Sequence, residues 1–288
     1  MANQYTNRHA ARDNLSLNLR YINRSVVSHE MHYAISRFLE NHLSEEEAVY
    51  HLDSLRPTKR VLIYRETAET QEQFLDEFWR SFLELVFDVP PEHDGQWKLL
   101  NLILQLNGLN ESGRFFWAGF PRLREYTRSI WKMSIYHHSC GLQRWVNLNS
   151  FFSRMYGASI IDWYDLGIHS LRWAFEREAQ PQPSVASKRV KAAAQWMINA
   201  APRLFRLTQT LATSADEEVL HEGTGFIALT QPEYIGDVVF TETRWIFWNQ
   251  SFLQHSSNQG DAAYAAYTHM NYADGFISIQ WNWNPSQE

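Results

Sequence analysis

The chain has 288 residues, 44% of them hydrophobic and 15% aromatic, and carries a net charge of −6. That length lets a fold bury roughly three quarters of the unfolded surface, and the composition is globular rather than disordered. The acidic balance, with KRVK (188–191) the one dense basic stretch, argues against a nucleic-acid binder, and the longest apolar run, LLNLILQL (99–106), falls far short of the ~20 residues that cross a bilayer.

Apolar residues recur three and four positions apart along most of the chain, which predicts an all-α fold: a single irregular bundle of about ten helices. In chain order the expected helices are 28–41, 45–55, 70–88, 93–107, 121–136, 142–156, 160–179, 187–212, 241–256 and 261–272. Ser44/Glu47, Thr70/Gln73 and Ser214/Glu217 have capping-box spacing, so each marks a helix start. Pro202 is expected to kink or split the helix that holds it. AQPQPSVAS (179–187) reads as a loop inside one domain, and 222–240 as a possible short hairpin. The expected organisation is a polar N-terminal arm (1–27), a helical domain (28–272) and a Trp-rich tail (273–288).

Cys140 is the only cysteine, so no internal disulfide forms, and residues 1–25 lack the apolar stretch of a secretory signal; both point to a cytoplasmic protein. His29 and His32 are three apart, whereas the zinc-protease pattern needs histidines four apart; His137 and His138 diverge on a helix. No metal and no cofactor is expected. Phosphate-loop, dinucleotide and serine-elbow signatures do not occur in the sequence.

The most promising polar group is in DWYDLGIHSLRWAFERE (162–178). At helical spacing Asp162, Asp165, His169, Arg172 and Glu176 fall within about 80° of one another, opposite Tyr164, Ile168, Leu171 and Phe175. A carboxylate one turn before a histidine can orient the ring for acid–base work, which makes Asp162, Asp165 and His169 the catalytic candidates. The plainer reading is a solvated helix face stitched by Asp165–His169 and Arg172–Glu176 pairs. In TRWIFWNQSF (243–252), Trp245 and Trp248 share one side with Phe252, and so much apolar circumference predicts a central, surrounded helix.

The blocks EFWRSF (77–82), FPRLREYTRSIW (120–131), WVNLNSFFSRM (145–155) and RWIFWNQSF (244–252) resemble, in this order, those of DUF3632, a large fungal family of unknown function. The resemblance runs from about residue 30 to 256 and is sharpest in W-x-N-L-N-x-F (145–151) and R-W-x-F-W (244–248); the family commonly has smaller residues where this chain has Phe152 and Ser153. It implies a largely helical intracellular fungal protein, with some relatives encoded beside natural-product biosynthetic genes, and supplies no catalytic residue.

Asn147 and Asn149 admit two roles: amides bonded to neighbouring helix ends, or the few polar groups that orient a ligand in an apolar cavity. With Arg244, Trp245 and Trp248 they form the expected substrate-binding set. The first functional expectation is a cofactor-independent cyclase or isomerase acting on a hydrophobic natural-product intermediate. The second is a non-catalytic ligand-binding or scaffold protein, with Trp281 and Trp283 docking a partner or closing a homodimer.

Overall fold

The computed structural model describes residues 26–64, 69–109, 116–136, 141–176, 183–210, 241–257 and 261–282, with the side chains of 61–64, 132–136, 210 and 276–282 left out. The expectations for Ser214/Glu217, His137, His138, Cys140, the 222–240 hairpin and the side chains of Trp281 and Trp283 lie outside this description. Among the described residues there are eleven α-helices and no strand: α1 (Val26–Leu39), α2 (Glu45–Ser54), α3 (Pro57–Tyr64), α4 (Gln71–Asp88), α5 (Gly95–Gly108), α6 (Leu123–Tyr136), α7 (Leu142–Gly157), α8 (Tyr164–Phe175), α9 (Pro183–Thr210), α10 (Glu242–His255) and α11 (Ala262–Asn282).

Two starts follow the capping chemistry written in the sequence. Thr70 Oγ1 accepts the Gln73 N–H at 3.2 Å and Gln73 Oε1 accepts the Thr70 N–H at 3.0 Å, while Ser44 and Glu47 repeat the exchange at α2. α3 was not anticipated; its signal is Pro57, whose missing N–H costs nothing at the first helical position. Of the two outcomes expected at Pro202, a kink or a split, the split does not occur: α9 continues as one helix through it. α11 continues to Asn282, ten residues past the expected end, because Gly275 does not stop it and the next proline is Pro285.

The described residues fall into two compact units, one up to Leu148 and one from Asn149 onward. The division falls inside α7. In the first unit α1 packs on α2, α4 and α5, and α4 on α6. Its core is aromatic: Phe74, Phe78, Trp79, Phe82 and Trp117 are all buried, with Phe78 and Trp117 ring centroids 4.7 Å apart. The buried indoles find acceptors, Trp79 Nε1 at Pro121 O and Trp117 Nε1 at Asp53 Oδ1, both at 2.7 Å.

In the second unit α9 packs against α8, α10 and α11, and α10 against α8 and α11. Ala192, Ala193, Ala194, Ala200 and Ala201 line the buried side of α9 and let neighbours approach closely. Two glycines serve the same approach. A Cβ on Gly167 of α8 would lie 2.7 Å from the Trp196 ring, and one on Gly157 would collide with the Asn199 carbonyl oxygen. α9 therefore has the central role that the aromatic pattern had suggested for α10. α10 is partly exposed: Ile246 and Leu253 keep 47% and 45% of their surface in solvent.

Candidate functional site

The paired asparagines of W-x-N-L-N-x-F are buried and bonded. Asn147 Nδ2 donates to Phe87 O at 2.7 Å, at the carboxyl end of α4, and its Oδ1 accepts Gln143 Nε2 at 2.9 Å. Gln96 Nε2 reaches the Asn147 carbonyl at 3.2 Å and the Val89 carbonyl at 2.7 Å. Beside it Arg144 binds Asp88 at 3.0 Å and Glu84 at 2.6 Å. Asn147 and Gln96 thus each satisfy a carbonyl at the end of α4 that has no intrahelical donor.

Asn149 works inside the second unit: its Oδ1 accepts both Ser170 Oγ and Trp196 Nε1 at 2.7 Å. A single amide oxygen so joins α7, α8 and α9. The larger residues after it are accommodated in the core; Phe152 packs against Trp163 in a tilted arrangement with centroids 5.6 Å apart, and Ser153 Oγ donates to Ser150 O at 2.9 Å and accepts Asn199 Nδ2 at 2.9 Å.

The polar row 162–176 does not form one helix face. Asp162 precedes the helix and is 75% exposed, Asp165 and His169 are half-buried, and Arg172 and Glu176 are buried at 5% and 6% exposure. The solvated-face reading fails at the carboxyl end of the row because α8 turns that end toward α10. There Glu176 Oε1 accepts Arg244 Nε at 2.7 Å and Trp248 Nε1 at 2.8 Å, and its Oε2 accepts Arg244 Nη2 and, at 3.3 Å, Arg172 Nε. The Arg244 guanidinium carbon also lies 5.3 Å from the Trp248 ring centroid, and Trp245 packs on Phe205 with ring centroids 5.1 Å apart. Trp245 and Trp248 are buried to 1% and 0% exposure. Both rings sit in the core, and the carboxylate beside Trp248 is Glu176, for which the sequence suggested only the Arg172 pairing, a pairing that is present at 3.3 Å. A buried acid spaced one turn from a buried arginine was the available signal.

Among the described residues of the second unit, one open feature lies where α7 ends against α9. A cleft of about 300 Å³ is lined by Gly157 and Ser159 after α7 and by Asn199, Ala200, Pro202, Arg203 and Arg206 of α9. α7 terminates with Ser159 in the left-handed region, φ 60°, its N–H bonded to Tyr156 O at 2.9 Å. Arg203 meets this carboxyl end: Nη1 donates to Tyr156 O and, at 3.0 Å, to Ile161 O, and its guanidinium carbon lies 4.2 Å from the Tyr156 ring centroid. A cation at a helix carboxyl terminus complements the dipole there. Arg203 Nη2 then donates to Asp162 Oδ1 at 3.1 Å. Burial pushes the Tyr156 phenol well above its ordinary pKa despite the neighbouring Arg203 charge, so this ring stays neutral.

Of the candidates, Arg244 and Trp248 meet at Glu176, Asp162 meets the cleft through Arg203, and Asn147 and Asn149 serve different helices. No three described His, Cys, Asp or Glu residues stand together as a metal site; His32 is buried beside Ser36 Oγ at 3.2 Å. Among the described residues no helix is long and apolar enough to cross a membrane.

A multi-helix protein with a closed ionic core and an open cationic cleft is the class these features define. The chain belongs to the family described as "Protein of unknown function (DUF3632)", which matches residues 79–252 and so contains both the Glu176 cluster and the cleft. No curated protein and no solved structure matches it.

Proposed function

We propose that the protein acts by binding a small molecule without transforming it, and that the cleft at Pro202 is its ligand site. The observation behind this reading is the chemistry of the lining. Among the described residues it presents two guanidiniums, an amide and a hydroxyl, with no carboxylate, imidazole, thiol or amine. Guanidinium keeps its proton in proteins, and a serine hydroxyl without an adjacent base is a weak nucleophile, so these groups hold and orient but do not shuttle protons. About 300 Å³ is the small end of ligand-site volumes.

One observation supports a second reading, the cofactor-independent cyclase or isomerase of natural-product metabolism. Asp162 bonds a lining residue at 3.1 Å, and a carboxylate there is a candidate base, with Asp165 and His169 one and two turns on. The polar lining suits this reading less well, because a hydrophobic intermediate gains little beside two guanidiniums. A cytoplasmic location and a homodimer closed through the tail belong to the same proposals.

Equilibrium dialysis of the purified chain against a cellular metabolite extract, read by mass spectrometry, tests the choice. Binding predicts compounds retained unchanged by the wild type and lost with Arg206→Gln. New masses that vanish with Asp162→Asn or His169→Ala contradict it and favour the enzyme.

A further inference from the structure

Resting on the binding reading above, we infer that the cleft takes a small oxyanion, a phosphate or carboxylate group, and that Asp162 is its internal competitor. The cleft already displays the recognition chemistry, because Arg203 Nη2 holds the Asp162 carboxylate at 3.1 Å. The two partners are unequal. Arg203 is fixed by bonds to Tyr156 O and Ile161 O and by its stacking on Tyr156, whereas Asp162 is 75% exposed on a loop before α8. An exposed carboxylate on an anchored guanidinium is a weakly held ligand, since such pairs contribute little in water. The guanidinium is preorganised and the anion is exchangeable.

Arg206 follows Arg203 by three positions on α9 and lines the same cleft, which sets two guanidinium-bearing residues along one wall. Asn199 occupies the turn before, its Nδ2 committed to Ser153 Oγ and Gln195 O, which fixes the wall rather than serving the ligand. Pro202 contributes no N–H to this surface and presents its ring to solvent between Asn199 and Arg206. The lining carries formal charge +2 and no acid among the described residues. Charge and volume favour a compact oxyanion over an apolar molecule, with Arg203 Nη2, which already holds a carboxylate oxygen, as the donor.

Isothermal titration of the full chain with inorganic pyrophosphate and with citrate, at matched low ionic strength, separates phosphate from carboxylate recognition. Asp162→Asn removes the competitor and is expected to tighten binding by up to about five-fold, the range of an exposed ion pair. Arg206→Gln is expected to weaken binding several-fold, while Glu46→Gln in the first unit, the same gain of one positive charge as Asp162→Asn, leaves it unaltered. Thermal melting and circular dichroism of each variant verify folding; Arg203 is left intact because it also bonds backbone carbonyls. Unchanged or weaker binding in Asp162→Asn, or equal binding by Arg206→Gln and wild type, overturns the inference. Retention of only neutral compounds in the dialysis removes the oxyanion assignment and leaves the binding reading standing. Retention of nothing in either experiment removes both.

Discussion

Replacing Glu176 by Gln keeps the side-chain volume and deletes one charge from the interior of the second unit. Four hydrogen bonds converge on this carboxylate, from Arg172 Nε, Arg244 Nε and Nη2, and Trp248 Nε1. Its arginine partners are 5% and 3% exposed, so water cannot screen what the substitution uncovers. Removing one member of a buried ion pair costs about 3–5 kcal/mol, and the remaining amide oxygen of Gln returns roughly 1 kcal/mol by still accepting a neutral donor. The expected net loss is roughly 2–4 kcal/mol, or about 5–15 °C in Tm for a chain of this size. Urea unfolding followed by tryptophan emission and by far-ultraviolet circular dichroism measures it. A double-mutant cycle with Arg244→Gln should return a coupling of at least about 1.5 kcal/mol. A loss under roughly 0.5 kcal/mol, the range of solvated pairs, would refute the closed-core assignment.

Gly157→Ala drives a methyl group into the Asn199 carbonyl, and chemical denaturation should register a loss of about 1–3 kcal/mol from overpacking; a neutral result would mean that α7 and α9 do not cross so closely. Asn149→Leu leaves Ser170 Oγ and Trp196 Nε1 without their shared acceptor, predicting about 1–3 kcal/mol of destabilisation and faster amide exchange in α8 and α9. Burial raises the Asp261 pKa, but bonds from the Ala263 N–H and from Ser257 outweigh it, and the net folded value lies below the ordinary one. The stability this group supplies is therefore present above the unfolded carboxylate pKa of about 3.9 and disappears as pH falls through the lower folded value. Asp261→Ala should cost about 1 kcal/mol near neutrality, as cap losses do, with the gap to wild type narrowing under acid; a gap that widens would reverse the sign of the linkage.

Helix identity was legible because it is local. Thr70/Gln73 and Ser44/Glu47 state their capping partners within four residues, and the apolar spacing of α4 names Phe74, Phe78 and Phe82 as core. Burial of Trp245, Trp248 and Phe252 was legible for the same reason. The role of Glu176 was not, since its decisive partners, Arg244 and Trp248, are 68 and 72 positions away in sequence. Helical projection placed Asp162 and Glu176 on one face, but α8 spans only Tyr164–Phe175, so both lie beyond its ends and the projection misplaced them. The cleft depends on Ser159 adopting positive φ after α7 and on α9 continuing through Pro202, neither of which periodicity encodes. The paired asparagines look equivalent in sequence, yet Asn147 bonds the end of α4 and Asn149 bonds Ser170 and Trp196.

The central claim, that recognition happens in the cationic cleft and not at the aromatic core, is tested most directly by two-dimensional amide and arginine side-chain NMR of the full chain titrated with pyrophosphate. Saturable shifts confined to Ser159, Arg203, Arg206 and the released Asp162, with Arg172, Arg244 and the Trp248 indole unmoved, are the predicted result. Shifts centred on the Glu176 cluster, or linear shifts spread over the surface arginines, would contradict it.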